Sequence, residues 1–166
     1  MPLPTRPFRI ATAIALASLL ALPAHASTAD DTSTVDHLIA AYHQAVLTHD
    51  GARLSALFMP EGTAWFSVLT DAGLARARAR KPSAARLRPG TVKDFVAMVS
   101  TSKARLDPEH DNLQIRSDGA VATVTFDFRF LIDGKEQNRG AESWQLVKGD
   151  EGWRIGSIVY SSTPPA

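Results

Sequence analysis

The chain of 166 residues contains no cysteine, which excludes a disulfide framework, a cysteine-ligated metal site and a lipid-modified cysteine near the N-terminus. Long hydrophobic runs are missing too. The apolar stretch over residues 10–22 has 13 residues, whereas a helix needs roughly 20 to cross a bilayer. Apolar packing must therefore stabilise the folded chain, and no membrane span is predicted.

A large net charge is absent as well. The whole chain carries 18 basic and 17 acidic residues. Residues 1–26 hold Arg6 and Arg9 but no acid, so their removal leaves 16 basic and 17 acidic residues and a net charge of −1. A chain this close to neutrality has no overall attraction for nucleic acid or for an anionic membrane, so we predict no nucleic-acid partner.

The first 26 residues have the pattern of a secretory signal peptide. Arg6 and Arg9 precede the apolar run, and Ala24-His25-Ala26 follows it as a small-x-small cleavage site. We therefore predict cleavage after Ala26, and a protein that is periplasmic or secreted.

The first helix is predicted just after a short leader. Residues 27–34 are small and polar, which is typical of a flexible leader, and we predict one domain over residues 35–162. Ser33 and Asp36 fit a capping box for a helix that ends near His49, because apolar residues follow at helical spacing.

Two further helices and a sheet are predicted beyond it. Asp50 is the expected N-cap of a helix over residues 51–58, and Thr91 with Asp94 forms a capping box for a third helix. Residues 63–69 are rich in β-forming residues and predict a first strand. Four more strand-like segments follow as an antiparallel meander: residues 112–116, 121–130, 141–148 and 153–160.

The turns of this meander predict its register. Loop length decides which residues face each other across a hairpin, and only one parity places apolar residues on the same face. Two-residue turns at Asp118-Gly119 and Gly149-Asp150, with a three-residue loop at 132–134, satisfy that condition. In the resulting register Ile115 faces Ala122. Glu142 faces Val124 on one side and Ser157 on the other.

The apolar face of the sheet is the predicted wall of a ligand pocket. Glu142 is the acid that this register places on it, and an unpaired carboxylate is costly there. Glu142 is therefore a candidate general acid or base with a pKa raised by burial. The alternative is a carboxylate at the sheet edge that reaches water or pairs with Arg139. The candidate ligand-binding residues are Tyr42, Trp65, Phe126, Phe128, Glu142, Trp144 and Ser157.

The histidines predict no metal site. His37, His43 and His49 are spaced six apart, so they cannot share one face of a helix as metal ligands do. His110 stands among acidic residues and is expected in a solvated turn. We predict neither a metal nor a cofactor.

Residues 70–90 are predicted as a long loop. The most uneven charge distribution in the chain overlaps this loop. Seven basic residues and no acid lie between Asp71 and Asp94: Arg76, Arg78, Arg80, Lys81, Arg86, Arg88 and Lys93. This basic loop, residues 76–93, could dock an anionic partner. A flexible, solvated loop is the alternative.

Several short passages resemble the nuclear transport factor 2-like superfamily, also called the cystatin-like fold. They are Tyr42 in the first helix, residues 57–62, the turn over residues 118–122, and residues 151–161. The resemblance spans most of the chain after the signal peptide. It implies an α+β fold in which N-terminal helices pack on a curved antiparallel sheet, forming a cone with a cavity between them.

The resemblance does not give an activity, because this superfamily includes ketosteroid isomerases, dehydratases, polyketide cyclases and subunits without catalysis. Its enzymes place Asp, His, Tyr or Arg groups in the cavity, and no complete set aligns here. We therefore predict an exported small-molecule-binding or accessory protein with an apolar ligand, and a homodimer through the sheet as a further partner. The alternatives are a lyase or isomerase working by proton transfer at Glu142, favoured if that residue is buried and unpaired, and an interaction protein using the basic loop.

The exported protein is expected to begin at Ser27, because Ala24-His25-Ala26 directly follows the apolar run. N-terminal sequencing of protein recovered from the producing cell's exterior or periplasm checks this. Recovery of the full-length chain in the membrane fraction would contradict it.

Overall fold

Four helices and six strands make up the part of the chain, residues 33–165, that the computed structural model describes. The predicted signal peptide and most of the predicted leader lie outside these residues. The helices are α1 (Val35–Leu47), α2 (Gly51–Ala56), α3 (Asp71–Arg80) and α4 (Val92–Thr101). The strands are β1 (Ala64–Leu69), β2 (Leu87–Pro89), β3 (Leu106–Ser117), β4 (Val121–Ile132), β5 (Lys135–Gly149) and β6 (Gly152–Ser162).

The helix starts agree with the sequence in two of three cases. The predicted capping box of Ser33 and Asp36 is wrong by one residue, since the side chain of Thr34 accepts the hydrogen bond from the His37 backbone N at 3.1 Å. The other two predicted caps are confirmed: Asp50 for α2 and Thr91 for α4.

The predicted long loop over residues 70–90 is wrong, because it contains α3 and β2. Thr70 caps α3 by accepting from the backbone N of Gly73, and the helix continues through Ala and Arg, which are good helix formers. Of its ten residues only Gly73 and Leu74 are buried. A helix this exposed has no amphipathic pattern, which is why periodicity did not predict it.

The six strands form one sheet in the order β2-β1-β6-β5-β4-β3. The predicted meander of β3 to β6 is confirmed. The sheet is mixed rather than wholly antiparallel, because β1 pairs in parallel with β6. These two strands are joined through most of the chain, so no turn length could predict their pairing.

The first hairpin turns one residue later than predicted. Asp118 closes onto Val121, and its side chain accepts from the backbone N of both Ala120 and Val121 at 2.9 Å. Asp118 thus anchors the turn instead of occupying the loop. As a result Ile115, predicted opposite Ala122, lies opposite Val124.

The second hairpin has a two-residue turn, so the predicted three-residue loop is wrong. Asp133 and Gly134 have φ angles of 51° and 73°, as a type I′ turn requires. A β-bulge follows immediately and restores the predicted even-to-even parity. Glu142 therefore faces Phe126 instead of Val124 but stays on the predicted face of the sheet.

The third hairpin turns at Asp150 and Glu151, one residue later than predicted, and also contains a bulge. Beyond the bulge Glu142 faces Tyr160. Ser157 pairs with Gln145, an exposed residue on the outer face. The prediction that Ser157 faces the cavity is therefore wrong, because one extra residue in a strand reverses every side chain after it.

The core lies between the concave face of the sheet and helices α1, α2 and α4. Trp144 is fully buried there, and Trp153 is 5% exposed. Ile115 shares this face with its partner Val124 but is 38% exposed, because β3 is the edge strand of the sheet. Within residues 33–165 no helix has the length and apolar character needed to cross a membrane.

Replacement of Trp153 by alanine should lower the free energy of unfolding by about 3–5 kcal/mol, the range for a large buried aromatic side chain. Val121 is 54% exposed, so Val121→Ala is the matched control and should cost less than about 0.5 kcal/mol. Denaturant unfolding measures both. A loss below about 1 kcal/mol for the Trp153 variant would mean that this ring does not belong to the core.

Candidate active site

A cavity of about 180 Å³ lies between α1, α4 and the concave face of the sheet. Most of its wall is aromatic: Tyr42, Trp65, Phe95, Phe128, Phe130 and Tyr160. Met98 and Pro108 add apolar surface, whereas His110, Asn138 and Glu142 contribute polar groups. A mainly apolar enclosure with a few polar groups is the usual composition of a small-molecule site.

Six of the seven predicted site residues come together around this cavity. Tyr42, Trp65, Phe128 and Glu142 line it directly. Trp144 and Phe126 form the layer behind, with the ring centroid of Trp144 4.8 Å from Tyr42 and 5.2 Å from Phe126. Ser157 lies on the outer face and takes no part.

Glu142 is held by a neutral donor. The indole Nε1 of Trp144 donates to Oε1 of Glu142 at 2.6 Å. Among the described residues no Lys or Arg lies within ion-pair distance of this carboxyl group, and Arg139, the alternative partner, contacts Glu136 Oε1 at 3.5 Å. Glu142 therefore has an orienting hydrogen bond but no compensating charge.

Burial raises the pKa of Glu142 from 4.5 to about 7, and the hydrogen bond from Trp144 opposes that rise only in part. The neutral acid is consequently well populated near neutral pH. Because Oε1 already accepts the indole N–H, the proton of the neutral acid belongs on Oε2. Oε2 is then the oxygen left to donate to a ligand.

His110 is a residue of the cavity wall that the sequence analysis placed elsewhere. It lies on β3 opposite Phe128, and its ring centroid is 4.3 Å from that of Phe126 and 6.3 Å from that of Tyr42. The expected solvated turn is wrong, because β3 begins at Leu106. From there apolar or neutral residues alternate with acids up to Asp111, and this period of two could have identified the strand.

Burial lowers the pKa of His110 from 6.5 to about 4, and the nearby His43 adds to the effect while Asp111 opposes it. His43 lies behind the cavity wall, with Nε2 3.6 Å from Oδ1 of Asp107. His110 is therefore a neutral imidazole at ordinary pH and can accept a proton.

Tyr42 and Tyr160 add hydroxyl groups to the cavity wall. Tyr42 is 6% exposed. Burial raises the pKa of Tyr42 well above its usual range, and the charges of Glu142 and Tyr160 add to the shift. Its phenol is thus a hydrogen-bond donor throughout the physiological range.

The described part of the chain contains no group of three or more His, Cys, Asp or Glu side chains placed to hold a metal ion. His49, one of the three histidines spaced six apart, contacts the backbone O of Val99 through Nδ1 at 2.9 Å. It is thus occupied in joining the end of α1 to α4.

The basic residues 76–93 do not form one loop, because they are distributed over α3, β2, the connection between them and the first turn of α4, which contains Lys93. Some are structural: Arg76 donates to the backbone O of Pro164 at 2.7 Å, and Arg86 pairs with Asp71 at 2.8 Å. Arg78 donates to the backbone O of Ala84. None of them lines the cavity, so docking of an anionic partner here stays a separate prediction.

Comparison with known protein families finds a match between residues 35–165 and the family model described as SnoaL-like domain. No curated protein matches the chain. The matched segment contains every residue of the cavity wall.

Solved structures share the fold at low sequence identity. A Nostoc punctiforme protein of unknown function with a cystatin-like fold has a TM-score of 0.53 and 15% identity, over 80% of this chain and 96% of that one. A candidate scytalone dehydratase from Novosphingobium aromaticivorans has a TM-score of 0.56 and 14% identity, over 78% and 81%. The beta subunit of a candidate aromatic-ring-hydroxylating dioxygenase from the same organism has a TM-score of 0.57 and 12% identity, over 80% and 88%. These similarities show the fold alone.

Stability should depend on pH through Glu142. Its folded-state pKa of about 7 lies above its usual 4.5, so its contribution is fully present below the lower value and is lost as pH rises through the higher one. We expect the free energy of unfolding to fall by on the order of 2 kcal/mol between about pH 5 and about pH 8. Glu142→Gln should remove this dependence.

Denaturant unfolding of the wild type and Glu142→Gln at each pH measures the effect, with the exposed Glu61→Gln as the matched control. His110 acts with the opposite sign, because its lowered pKa costs stability as pH falls from 6.5 through about 4. The difference between wild type and Glu142→Gln cancels that contribution. A difference that does not change with pH would contradict a raised pKa.

Proposed function

Because this chain belongs to the SnoaL-like domain family of the nuclear transport factor 2-like superfamily, we propose that its cavity binds a small, mainly apolar molecule and that Glu142 and His110 transfer protons on it. The reaction class is that of an isomerase or a lyase. One observation carries the proposal: a carboxyl group and an imidazole line the same cavity with pKa values shifted in opposite directions.

The two shifts reverse the usual order of acid strength. The pKa of Glu142 is about 7 and that of His110 is about 4, so between these values both groups are neutral. Glu142 can then act as general acid through its Oε2 proton, and His110 as general base. Environments that separate the pKa values of neighbouring groups in this way are typical of sites of acid–base catalysis.

The proton balance of such a reaction is simple. His110 takes a proton from a carbon of the ligand, and Glu142 gives its proton to a ligand oxygen, either a carbonyl that becomes an enol or a hydroxyl that leaves as water. The pair then holds an imidazolium and a carboxylate. Transfer in the opposite direction, or exchange with solvent, restores the two neutral groups.

The cavity limits the size of the ligand. Its volume of about 180 Å³ slightly exceeds the roughly 150 Å³ of an engineered protein cavity that binds benzene. A single six-membered ring with one or two small substituents is therefore the size that fits. Six aromatic side chains in the wall favour a flat, unsaturated ring.

Binding without turnover is the second candidate, and the same aromatic wall supports it, since it would hold a flat ligand whether or not a proton moves.

Export through residues 1–26 and a periplasmic location are part of either proposal. So is pairing of two copies through the outer sheet face, where the neighbouring residues Phe66 and Val159 are 36% and 41% exposed.

Proton transfer can be tested without the natural substrate. Small aryl and cyclic ketones are incubated with the protein in D2O, and mass spectrometry follows deuterium entering the carbon next to the carbonyl. We expect exchange above the protein-free rate, reduced at least about tenfold in Glu142→Gln and in His110→Asn, and unchanged in the exposed Glu61→Gln.

NMR of the Trp144 indole N–H separates the two candidates, because this group reports directly on Glu142. A ketone that shifts this signal but shows no exchange would favour binding without turnover. If no ketone in the panel shifts the signal or exchanges, the proposed function is wrong.

A further inference from the structure

Asn138 is a polar residue of the cavity wall that the proposed acid–base chemistry does not use. Its side-chain Oδ1 accepts a hydrogen bond from Oγ of Ser162 at 3.0 Å. Ser162 is only 7% exposed and stands on β6, in register with the buried Leu69 of β1. A buried hydroxyl therefore fixes the orientation of the amide.

This orientation leaves the amide nitrogen of Asn138 for the cavity. Because Oδ1 is directed at Ser162, the NH₂ group with its two donors lies on the other branch of the amide. The ligand atom that pairs with this NH₂ is an acceptor, such as a phenol, carbonyl or carboxylate oxygen.

Asn138 and Glu142 stand on the same face of β5, four residues apart. At about 3.3 Å per residue their Cα atoms are roughly 13 Å apart. For donor atoms spaced like their Cα atoms, two hydrogen bonds of about 2.9 Å leave about 7 Å between the ligand oxygens that would satisfy them. That span corresponds to the phenol oxygen and the carbonyl oxygen of a para-hydroxyaryl ketone.

Between the two polar residues the cavity wall is formed by the rings of Phe128 and Tyr160. Phe128 lies on β4 opposite Gly140, the residue midway between Asn138 and Glu142, and packs edge-on against Tyr160 with 5.5 Å between ring centroids. The backbone O and Oγ of Ser161 occupy the position that a Cβ would take at Gly140, so Gly140 itself offers no surface to a ligand. An aromatic ligand ring can therefore contact Phe128 and Tyr160 with a polar group at each end.

We propose that Asn138 is a specificity-determining residue which binds an acceptor oxygen at the end of the ligand away from Glu142. The ligand class is a single aromatic ring that carries a carbonyl group and, para to it, a second oxygen. This inference rests on the proposed function, because it takes Glu142 to meet the carbonyl group.

Two probes that differ in one hydroxyl group test the inference: para-hydroxyacetophenone and acetophenone. Dissociation constants come from NMR titration of the full exported chain at about pH 5.5, where Glu142 is neutral. We expect the para-hydroxy compound to bind about five- to tenfold more tightly, the value of one well-placed hydrogen bond. Meta-hydroxyacetophenone should bind no more tightly than acetophenone.

Asn138→Leu keeps the size of the side chain but removes its donors, so it should abolish the preference while leaving acetophenone binding within about threefold. Ser162→Ala should weaken the preference, because it frees the amide to rotate. Gln114→Leu, at an exposed position of β3, is the matched control and should keep the preference. Thermal unfolding of each variant verifies that it is folded.

The outcomes separate this inference from the proposed function. If wild type binds both ketones equally, or if Asn138→Leu keeps the preference, Asn138 does not determine specificity and the proposed function stands. If neither ketone binds to folded wild type, both this ligand class and the inference are wrong, whereas deuterium exchange with other ketones still decides the proposed function.

Discussion

The burial of Trp144 is the constraint on which the cavity depends. Its ring is fully buried between Tyr42 and Phe126, so its indole N–H needs an acceptor or loses a hydrogen bond worth about 1–3 kcal/mol. Glu142 supplies that acceptor from two residues away on the same strand. The same packing that satisfies the indole therefore brings a carboxyl group into an apolar enclosure without a cation. Desolvation outweighs the hydrogen bond and leaves an acid whose neutral form is well populated near pH 7.

His110 lies in the same apolar enclosure, but there burial lowers its pKa instead of raising it. Burial penalises whichever form is charged, so it raises the pKa of an acid and lowers that of a base. One apolar environment is therefore the largest cause of both pKa shifts, which run in opposite directions. The partly buried His43 adds to the pKa shift of His110 from behind the wall.

Local rules predicted most of the fold, whereas the site depended on counting residues in strands. Caps at Asp50 and Thr91 and the four-strand meander need only neighbouring residues, and all were confirmed. Glu142 was placed on the correct face although its predicted pairing was two residues off, because strands repeat every two residues. Ser157 was misplaced because a bulge adds one residue, and a bulge is not encoded in turn length. The helix α3 was missed because it buries too little to create a pattern.

Each of the three hairpins carries a register irregularity between the turn and the cavity: between Asp111 and Gln114, after Phe130, and after Gln145. At each of these positions, adding or removing one residue would exchange the side chains that face inward for those that face outward in the rest of the strand. Loss of one residue at the β6 bulge would turn Ser157, Val159 and Ser161 inward and Ile158, Tyr160 and Ser162 outward. The fold thus offers evolution a way to replace a whole wall of the cavity through a change in chain length, with no substitution of any residue in that wall.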